Sequence, residues 1–286
     1  MRIQYGYSVV YRHEFGNSTL FLGKAVEKWQ KACYTRVMAD TNLSEQIAQL
    51  QALVDKSKRI VFFGGAGVST ESGIPDFRSV DGLYHQKWDY PPEQILSASF
   101  FSHNPAEFYR FYREKILISG IKPNKAHLKL AEMEQKGKLS SVITQNIDGL
   151  HQAAGSKKVL ELHGSVLRNH CRNCQTFYDV DYVLSHKDQK GIPLCEKCGG
   201  IIKPDVVLYE EALDDTVINK TLEELANADL LIIGGTSLTV YPAAGFVRAY
   251  TGEHLVLINR DPTASDGIAD LVIHESIGKV LSSITV

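Results

Sequence analysis

The chain has 286 residues, 44% of them hydrophobic, with a formal net charge of −2. That length supports one large domain, or a large and a small one. The near-zero charge gives no basic footprint for nucleic acid, and no apolar run approaches the roughly 20 residues that a membrane-spanning helix needs.

Residues 1–37 mix Tyr, Arg and Phe without a sustained period and lack the shape of a signal peptide. Met38-Ala39-Asp40-Thr41-Asn42-Leu43-Ser44-Glu45 reads as a natural start. The expectation is that Met38 is the initiator and that 1–37 is a gene-boundary artefact or a disordered extension, leaving 38–286 as the domain proper. Ser44 is expected to cap a helix running through Gln51, with Ile47, Leu50 and Leu53 at helical spacing.

Short β-rich apolar runs then recur at 60–63, 141–144, 159–162, 206–209, 230–233, 255–258 and 271–273. Runs such as Leu230-Leu231-Ile232-Ile233 are apolar on both faces, which suits parallel strands covered by helices on each side. Helical patterns fall between them at 106–118, 124–136, 216–226 and 243–250. This alternation predicts an α/β fold with a doubly wound, Rossmann-like parallel sheet.

Two stretches break the alternation. One, rich in Tyr, Pro and Ser, opens a predicted helical and cofactor-loop insertion over 77–123. The other, over 166–203, holds Cys171-x-x-Cys174 and, after 20 residues, Cys195-x-x-Cys198. Two pairs at this spacing read as a zinc ribbon: Cys171, Cys174, Cys195 and Cys198 close a four-thiolate shell with no open position, so one zinc would be structural. A redox Cys-x-x-Cys is the minor alternative. Of five cysteines only Cys33 stands outside the pairs, a pattern that fits a reducing compartment with a bound metal. The ribbon cannot sit within a parallel sheet, so the two insertions are expected to pack together over the strand ends.

The turn after the first strand reads Gly64-Gly65-Ala66-Gly67-Val68-Ser69-Thr70. Glycines there let the backbone approach a phosphate, and a helix N-terminus is expected to follow and supply free N–H groups. A dinucleotide fingerprint would carry a third glycine where Thr70 stands, and an acid about 20 residues on, which is missing. A second strand ends in Gly234-Gly235-Thr236-Ser237 and a third in Asn259-Arg260. Asn259 is expected to take the ribose hydroxyls in place of the acid, and three strand ends converging on a crevice is how open α/β sheets bind ligands.

In this order, Gly65-Ala66-Gly67-Val68-Ser69 through Gly73-Ile74-Pro75-Asp76-Phe77-Arg78, Thr144-Gln145-Asn146-Ile147-Asp148-Gly149-Leu150-His151, Leu162-His163-Gly164, the paired cysteines, Gly235-Thr236-Ser237-Leu238 and Ile258-Asn259 resemble the sirtuins, NAD-dependent protein deacylases. The resemblance runs from about Leu43 to the C terminus, and the compact core resembles bacterial members. It implies a protein-lysine deacetylase that moves an acetyl group from lysine to the ADP-ribose of NAD and releases nicotinamide. His163 matches the family's general base, a task suited to an imidazole near neutrality. Asn146, counted here with the catalytic groups, and Asp148 match residues that hold the ribose and the nicotinamide amide. Ile147 lines that pocket, and Gln145 matches a ribose contact. Phe77 and Arg78 match the residues that cover the reactive carbon against water and hold the phosphate side. Ala66, Gly67, Thr70, Gly235, Thr236, Ser237 and Asn259 match dinucleotide contacts, and Ser276 falls where the family meets adenine.

The chain departs from the family pattern at Tyr209-Glu210, where many sirtuins have Phe-Gly. The segment Val206, Val207, Leu208 and Tyr209 is expected to meet the acetylated peptide substrate by strand pairing, with an altered wall. Sirtuins that prefer acidic acyl groups share a Tyr-x-x-Arg pair on the helix before Pro-Asn-x-x-His. Here Tyr109 is followed three places on by Tyr112, and Arg113 lies one helical step away, so neutral acyl groups are expected, acetyl first.

A protein mono-ADP-ribosyltransferase would share every NAD residue but needs the base less. A deacylase for longer acyl groups is a further alternative. Asn146, Asp148 and His163 argue against a zinc-ribbon binding module with a vestigial nucleotide site. The missing glycine and ribose acid argue against a hydride-transferring dehydrogenase. The remaining expectations are a monomer, a cytoplasmic location, and neither nucleic acid nor membrane as partner.

Overall fold

The computed structural model describes residues 42–76, 82 and 88–286. The expectations on Met38 and 1–37, and those on Phe77 and Arg78, lie outside the described residues. Gln46–Val286 form one compact unit; of the other, Met1–Glu45, the described residues 42–45 are helical. Helix α1 covers residues 42–56. Ser44 therefore sits inside a helix that is already running at residue 42, rather than capping it, and the helix outlasts Gln51 because Leu50 and Val54 continue its buried stripe.

The main sheet has six strands in the order β3-β2-β1-β7-β8-β9. They are β1 (Ile60–Gly64), β2 (Leu139–Thr144), β3 (Val159–Glu161), β7 (Leu230–Gly234), β8 (His254–Ile258) and β9 (Leu271–Ile273). Every pairing among them is parallel, with Phe62 opposite both Val142 and Ile232. All residues of β1 and β7 are buried, as strands covered on both faces must be. On one face Val61, Phe63, Ile143, Leu231 and Ile233 pack with Leu225 of α8 (Asp215–Asn227) and with Ala243 and Val247 of a 3-10 helix, Ala243–Ala249. On the other, α5 (Lys125–Gln135) lies against β2 and against α9 (Ile277–Ser282).

Caps fix where the covering helices begin. The Asn124 side chain accepts the N–H groups of Ala126 and His127, while His127 Nδ1 accepts the N–H of Asn124. Asp214 accepts the Val217 N–H at the start of α8. Each such cap contributes about 1 kcal/mol.

The chain lays β1, β2 and β3 outward in one direction, then returns to place β7 beside β1 and continues outward the other way. The order reverses between β1 and β7, so a crevice opens at their carboxyl ends.

A second, three-stranded sheet runs β5-β4-β6, from β5 (Phe177–Asp179), β4 (Gly164–Cys171) and β6 (Ile202–Val206), all antiparallel. This corrects the expectation of a parallel strand over 206–209. Ile202, Pro204 and Val206 are buried while Lys203 and Asp205 are half-buried, the two-faced pattern of an antiparallel strand. Beyond Val206 the backbone leaves the ladder.

Short helices α2 (Pro92–Ile95), α3 (Ala98–His103) and α4 (Pro105–Phe111) precede β2. The predicted helix over 106–118 is α4 followed by a π turn, Tyr112–Ile116. Phe101, Phe108, Tyr109 and Tyr112 from these helices share one core with Val166, Tyr178, Ile202 and Val206 from the small sheet. Their rings meet edge-on or stacked: Phe101 and Phe108 at 4.8 Å, Phe108 and Tyr112 at 5.5 Å. Among the described residues no helix is long and apolar enough to cross a membrane.

Candidate active site

Two glycine turns meet at the crevice. The Gly67 N–H donates to the Gly235 carbonyl at 2.8 Å, and the Gly235 N–H to the Ile258 carbonyl at 3.1 Å. A Cβ on Gly67 would stand 2.8 Å from the Gly235 Cα, and one on Gly235, whose φ is 60°, would stand 2.4 Å from the Val68 nitrogen. Only glycine allows the turns to touch backbone to backbone. The expected helix after β1 is replaced by two 3-10 turns, Ala66–Val68 and Thr70–Ser72. The first closes where Thr70 Oγ1 bonds back to the Gly67 carbonyl at 3.0 Å.

The end of β2 adds the polar floor. Asn146 Nδ2 donates to Ser69 Oγ at 3.0 Å, and Ser69 Oγ donates to Asp148 Oδ2 at 2.7 Å. The other Asp148 oxygen accepts the Leu150 N–H at the head of α6 (Leu150–Ala153). Ser69 is buried and joins the two residues singled out from the sequence. It carried no assigned role there, although its place in the Gly-x-Gly-x-Ser run was the available signal. Gln145 Nε2 reaches Thr236 Oγ1 at 3.0 Å and so ties β2 to β7.

Asn259 lines the crevice and is also tied to the second glycine turn. Its carbonyl accepts the Thr236 N–H at 3.0 Å and its amide donates to the Thr236 carbonyl at 2.9 Å. The side chain braces the glycine turn, which limits what it offers a ribose. Ser276, just before α9, and Ser237 both line the crevice.

His163 lies between β3 and β4. Gly164 after it has φ 74°, and a Cβ there would stand 1.7 Å from the Asp205 carbonyl, so the turn admits only glycine. His163 Nδ1 lies 2.9 Å from the Gln145 carbonyl. A carbonyl only accepts, so Nδ1 carries the proton and Nε2 keeps its lone pair. Burial pulls the imidazole below its ordinary value of 6.5, and the Gln145 carbonyl pulls more weakly the other way. His163 is thus a neutral imidazole with a fixed tautomer and an open Nε2 lone pair.

Every described residue singled out for nucleotide or peptide contact, with His163, lines one cleft of about 940 Å³. Tyr112 and Ile116 from the π turn, Leu117 just after it, and Asp181 and Leu184 from α7 (Val180–Ser185) line it too, none of them assigned to the site from sequence. No period in the sequence marks them, because a π turn and a six-residue helix are too short to show one. Arg113 does not line the cleft: its guanidinium lies 5.1 Å from the Tyr109 ring centre and donates to the Val183 carbonyl.

The segment 206–209 follows β6 along the cleft. The Val207 N–H donates to the His163 carbonyl at 3.0 Å, Leu208 to Glu211 Oε2 at 2.8 Å and Tyr209 to the Leu96 carbonyl at 2.9 Å. A peptide laid here meets carbonyls and side chains rather than a row of open N–H groups.

Away from the cleft, the Sγ atoms of Cys171, Cys174, Cys195 and Cys198 lie within 4.8 Å of one another. Tetrahedral zinc with bonds of about 2.3 Å needs sulfur separations of this size, and the closest pairs, Cys171–Cys198 and Cys174–Cys195, stand 3.4 and 3.5 Å apart. The Asn173 N–H points to Cys171 Sγ and the Tyr178 hydroxyl to Cys195 Sγ, as donors around a bound thiolate do. The donor set fits one structural zinc ion.

A crevice at the switch point of the sheet, a half-buried histidine lining it and a separate four-cysteine cluster mark a nucleotide-using α/β enzyme with a structural metal site. The chain matches the Sir2 family over residues 65–242 and belongs to it. A protein of Clostridium perfringens described as an NAD-dependent protein deacetylase is 57% identical over 245 residues, which cover 85% of this chain and 99% of the relative. One of Clostridium acetobutylicum with the same description is 56% identical over 244 residues, with coverages of 85% and 99%. Among solved structures, a Sir2 bound to acetylated peptide aligns with a TM-score of 0.74 at 38% identity, covering 82% of this chain and 95% of that one. A Sir2 with deacetylated p53 peptide and 3′-O-acetyl ADP ribose aligns at 0.76 and 39% identity, with coverages of 82% and 95%.

Proposed function

We propose that this chain is an NAD-dependent protein-lysine deacetylase in which His163 is the general base. The state of His163 carries the reading: a neutral imidazole with Nε2 open, held by Gln145 and set beside Asn146 in the cleft. The relatives named as deacetylases support it. NAD, when bound, supplies ADP-ribose as acyl acceptor and nicotinamide as leaving group.

The chain's own groups divide the work. The turns at Gly67 and Gly235, with Ala66, Thr70, Gln145, Thr236, Ser237 and Ser276, would hold the dinucleotide, and Asn259 keeps Thr236 in place. Asn146 and Asp148, oriented through Ser69, would fix the nicotinamide end beside Ile147. Phe77 and Arg78 would cover it. His163 Nε2 takes the proton of the ribose hydroxyl that receives the acyl group. Val206 to Tyr209 would flank the acyl-lysine peptide. Cys171, Cys174, Cys195 and Cys198 would hold a zinc ion that braces the small sheet, with no open position for chemistry. On this reading the insertions expected over 77–123 and 166–203 would serve the peptide side, to which the described Leu96, Tyr112 and Leu184 contribute cleft-lining side chains.

Arg113, turned towards Tyr109 and Val183, offers no cation to an acidic acyl group, which favours acetyl and other neutral acyls. The reading extends to a cytoplasmic location, since a four-thiolate site needs reduced cysteines, and to a monomer. Mass spectrometry of the enzyme with NAD and an acetyl-lysine peptide tests the function. Deacetylated peptide with matching acetyl-ADP-ribose is expected, and its loss in His163→Ala. ADP-ribose attached to protein, with the acetyl group retained, would move the assignment to a mono-ADP-ribosyltransferase.

A further inference from the structure

We propose that Glu210 is a positioning residue that pins the peptide-facing segment to α3 and thereby sets affinity for the acylated peptide. The proposal rests on the deacetylase reading of the cleft. It starts from the backbone: Glu210 has φ 75°, in the left-handed region where a residue with a Cβ is disfavoured. Glycine is the unstrained choice there. The side chain compensates. Glu210 Oε2 accepts the Ser99 N–H at 2.9 Å and Oε1 accepts the Ser99 hydroxyl at 2.9 Å. Ser99 is in the first turn of α3, where N–H groups lack partners within the helix and a carboxylate meets the positive end of the dipole.

The pin acts on a segment already tied at its other end. Val207 bonds to the His163 carbonyl, and Glu211 Oε2 takes both the Leu208 N–H at 2.8 Å and Lys203 Nζ at 3.0 Å. Next to Glu210, the Tyr209 backbone exchanges bonds with Leu96 and Ala98, at 2.9 and 3.0 Å. The segment thus spans from His163 to the helical module, and the Glu210 side chain ties it to α3 through two bonds to Ser99. A strained, doubly bonded residue beside a binding surface is where rigidity is set. Releasing it leaves the His163 chemistry alone and lets the wall of the cleft move.

The test compares Glu210→Gly, Glu210→Gln and Ser99→Ala with the wild-type protein. Steady-state kinetics and hydrogen exchange of the 207–211 amides are the readouts. Glu210→Gly removes the strain and the pin together. It is expected to raise the KM for acetyl-peptide about fivefold, the scale of one exposed helix-cap interaction. The KM for NAD should stay within about twofold, because the turns at Gly67 and Gly235 lie at the strand ends. Exchange at 207–211 should quicken. Glu210→Gln, which keeps one strong acceptor, and Ser99→Ala, which keeps the backbone donor, should fall between; they carry the test should the glycine variant fail to fold. An unchanged peptide KM with unchanged exchange overturns the proposal, as does a parallel rise in both KM values. A wild-type protein that makes no acetyl-ADP-ribose would instead strike the deacetylase reading, and the exchange data would still decide whether the pin exists.

Discussion

The parallel sheet and the zinc-bearing module solve the same problem by opposite means. In the sheet, β1 and β7 are buried on both faces, and that burial with the parallel ladder on each side holds them. The module has only three strands, a ring-on-ring core shared with α3 and α4, and four clustered cysteine sulfurs. Small sheets of this kind are marginal without a staple. On the proposed reading, the sheet would carry the NAD side on a rigid frame, while the peptide side would depend on a metal and on side-chain ties such as Glu210. Perturbations of the two sides should separate.

The largest effect is expected at the base. His163→Ala should lower turnover by about 10²–10⁴-fold, the usual share of a general base, with the thermal transition little moved. Comparable loss from melting of the fold, read by circular dichroism, would break the assignment.

Zinc removal should come next. A strong chelator, or Cys195→Ser, is expected to abolish binding of acetyl-peptide while calorimetry still detects NAD or ADP-ribose. Loss of both together would mean that the module and the sheet are one cooperative unit.

Glu224 offers a test at the opposite end of the sheet. It is 3% exposed and accepts from Arg59, Lys158, Ser140 and Ser141. Glu224→Ala should destabilise the protein by about 2 kcal/mol, since the half-exposed Arg59 and Lys158 regain water while the serines lose a partner. Urea unfolding reads this. Peptide KM should be unaffected.

The smallest effects are those of pH. Because burial holds His163 below 6.5, the acid limb of kcat/KM should have its midpoint below 6.5, with full activity above it. Stability carries a separate signature from His127 and His151, fully buried with ring centres 4.7 Å apart. Burial pushes both far below 6.5. The unfolded chain then binds more protons than the native one below 6.5, so stability is complete above that value and declines as pH falls through the native pKa values. Unfolding between pH 7 and 4 checks the sign, and the double substitution to Asn should flatten the slope.

What could be read in advance follows the same division. Runs such as Leu230-Leu231-Ile232-Ile233 announce buried parallel strands, and the glycines at 65, 67 and 235 announce the turns, because local sequence dictates both. The Ile202–Val206 strand was misread as a later, parallel one, since Lys203-Pro204-Asp205 hides an alternation that only the small sheet makes meaningful. The helix expected after β1 fails for a related reason: Gly73, with φ 89°, ends a pair of 3-10 turns before a helix can form. Ile116 and Leu184 have no such local signal, because long-range packing, not pattern, brings them to the cleft.

The central claim is the state of His163, and nitrogen-15 NMR of the histidine-labelled protein at neutral pH tests it most directly. The structure predicts a neutral ring protonated at Nδ1 and bare at Nε2, titrating below 6.5, with the signal assigned by His163→Ala. A ring protonated at Nε2, or an imidazolium at pH 7, would contradict it and leave the cleft without the base the reaction needs.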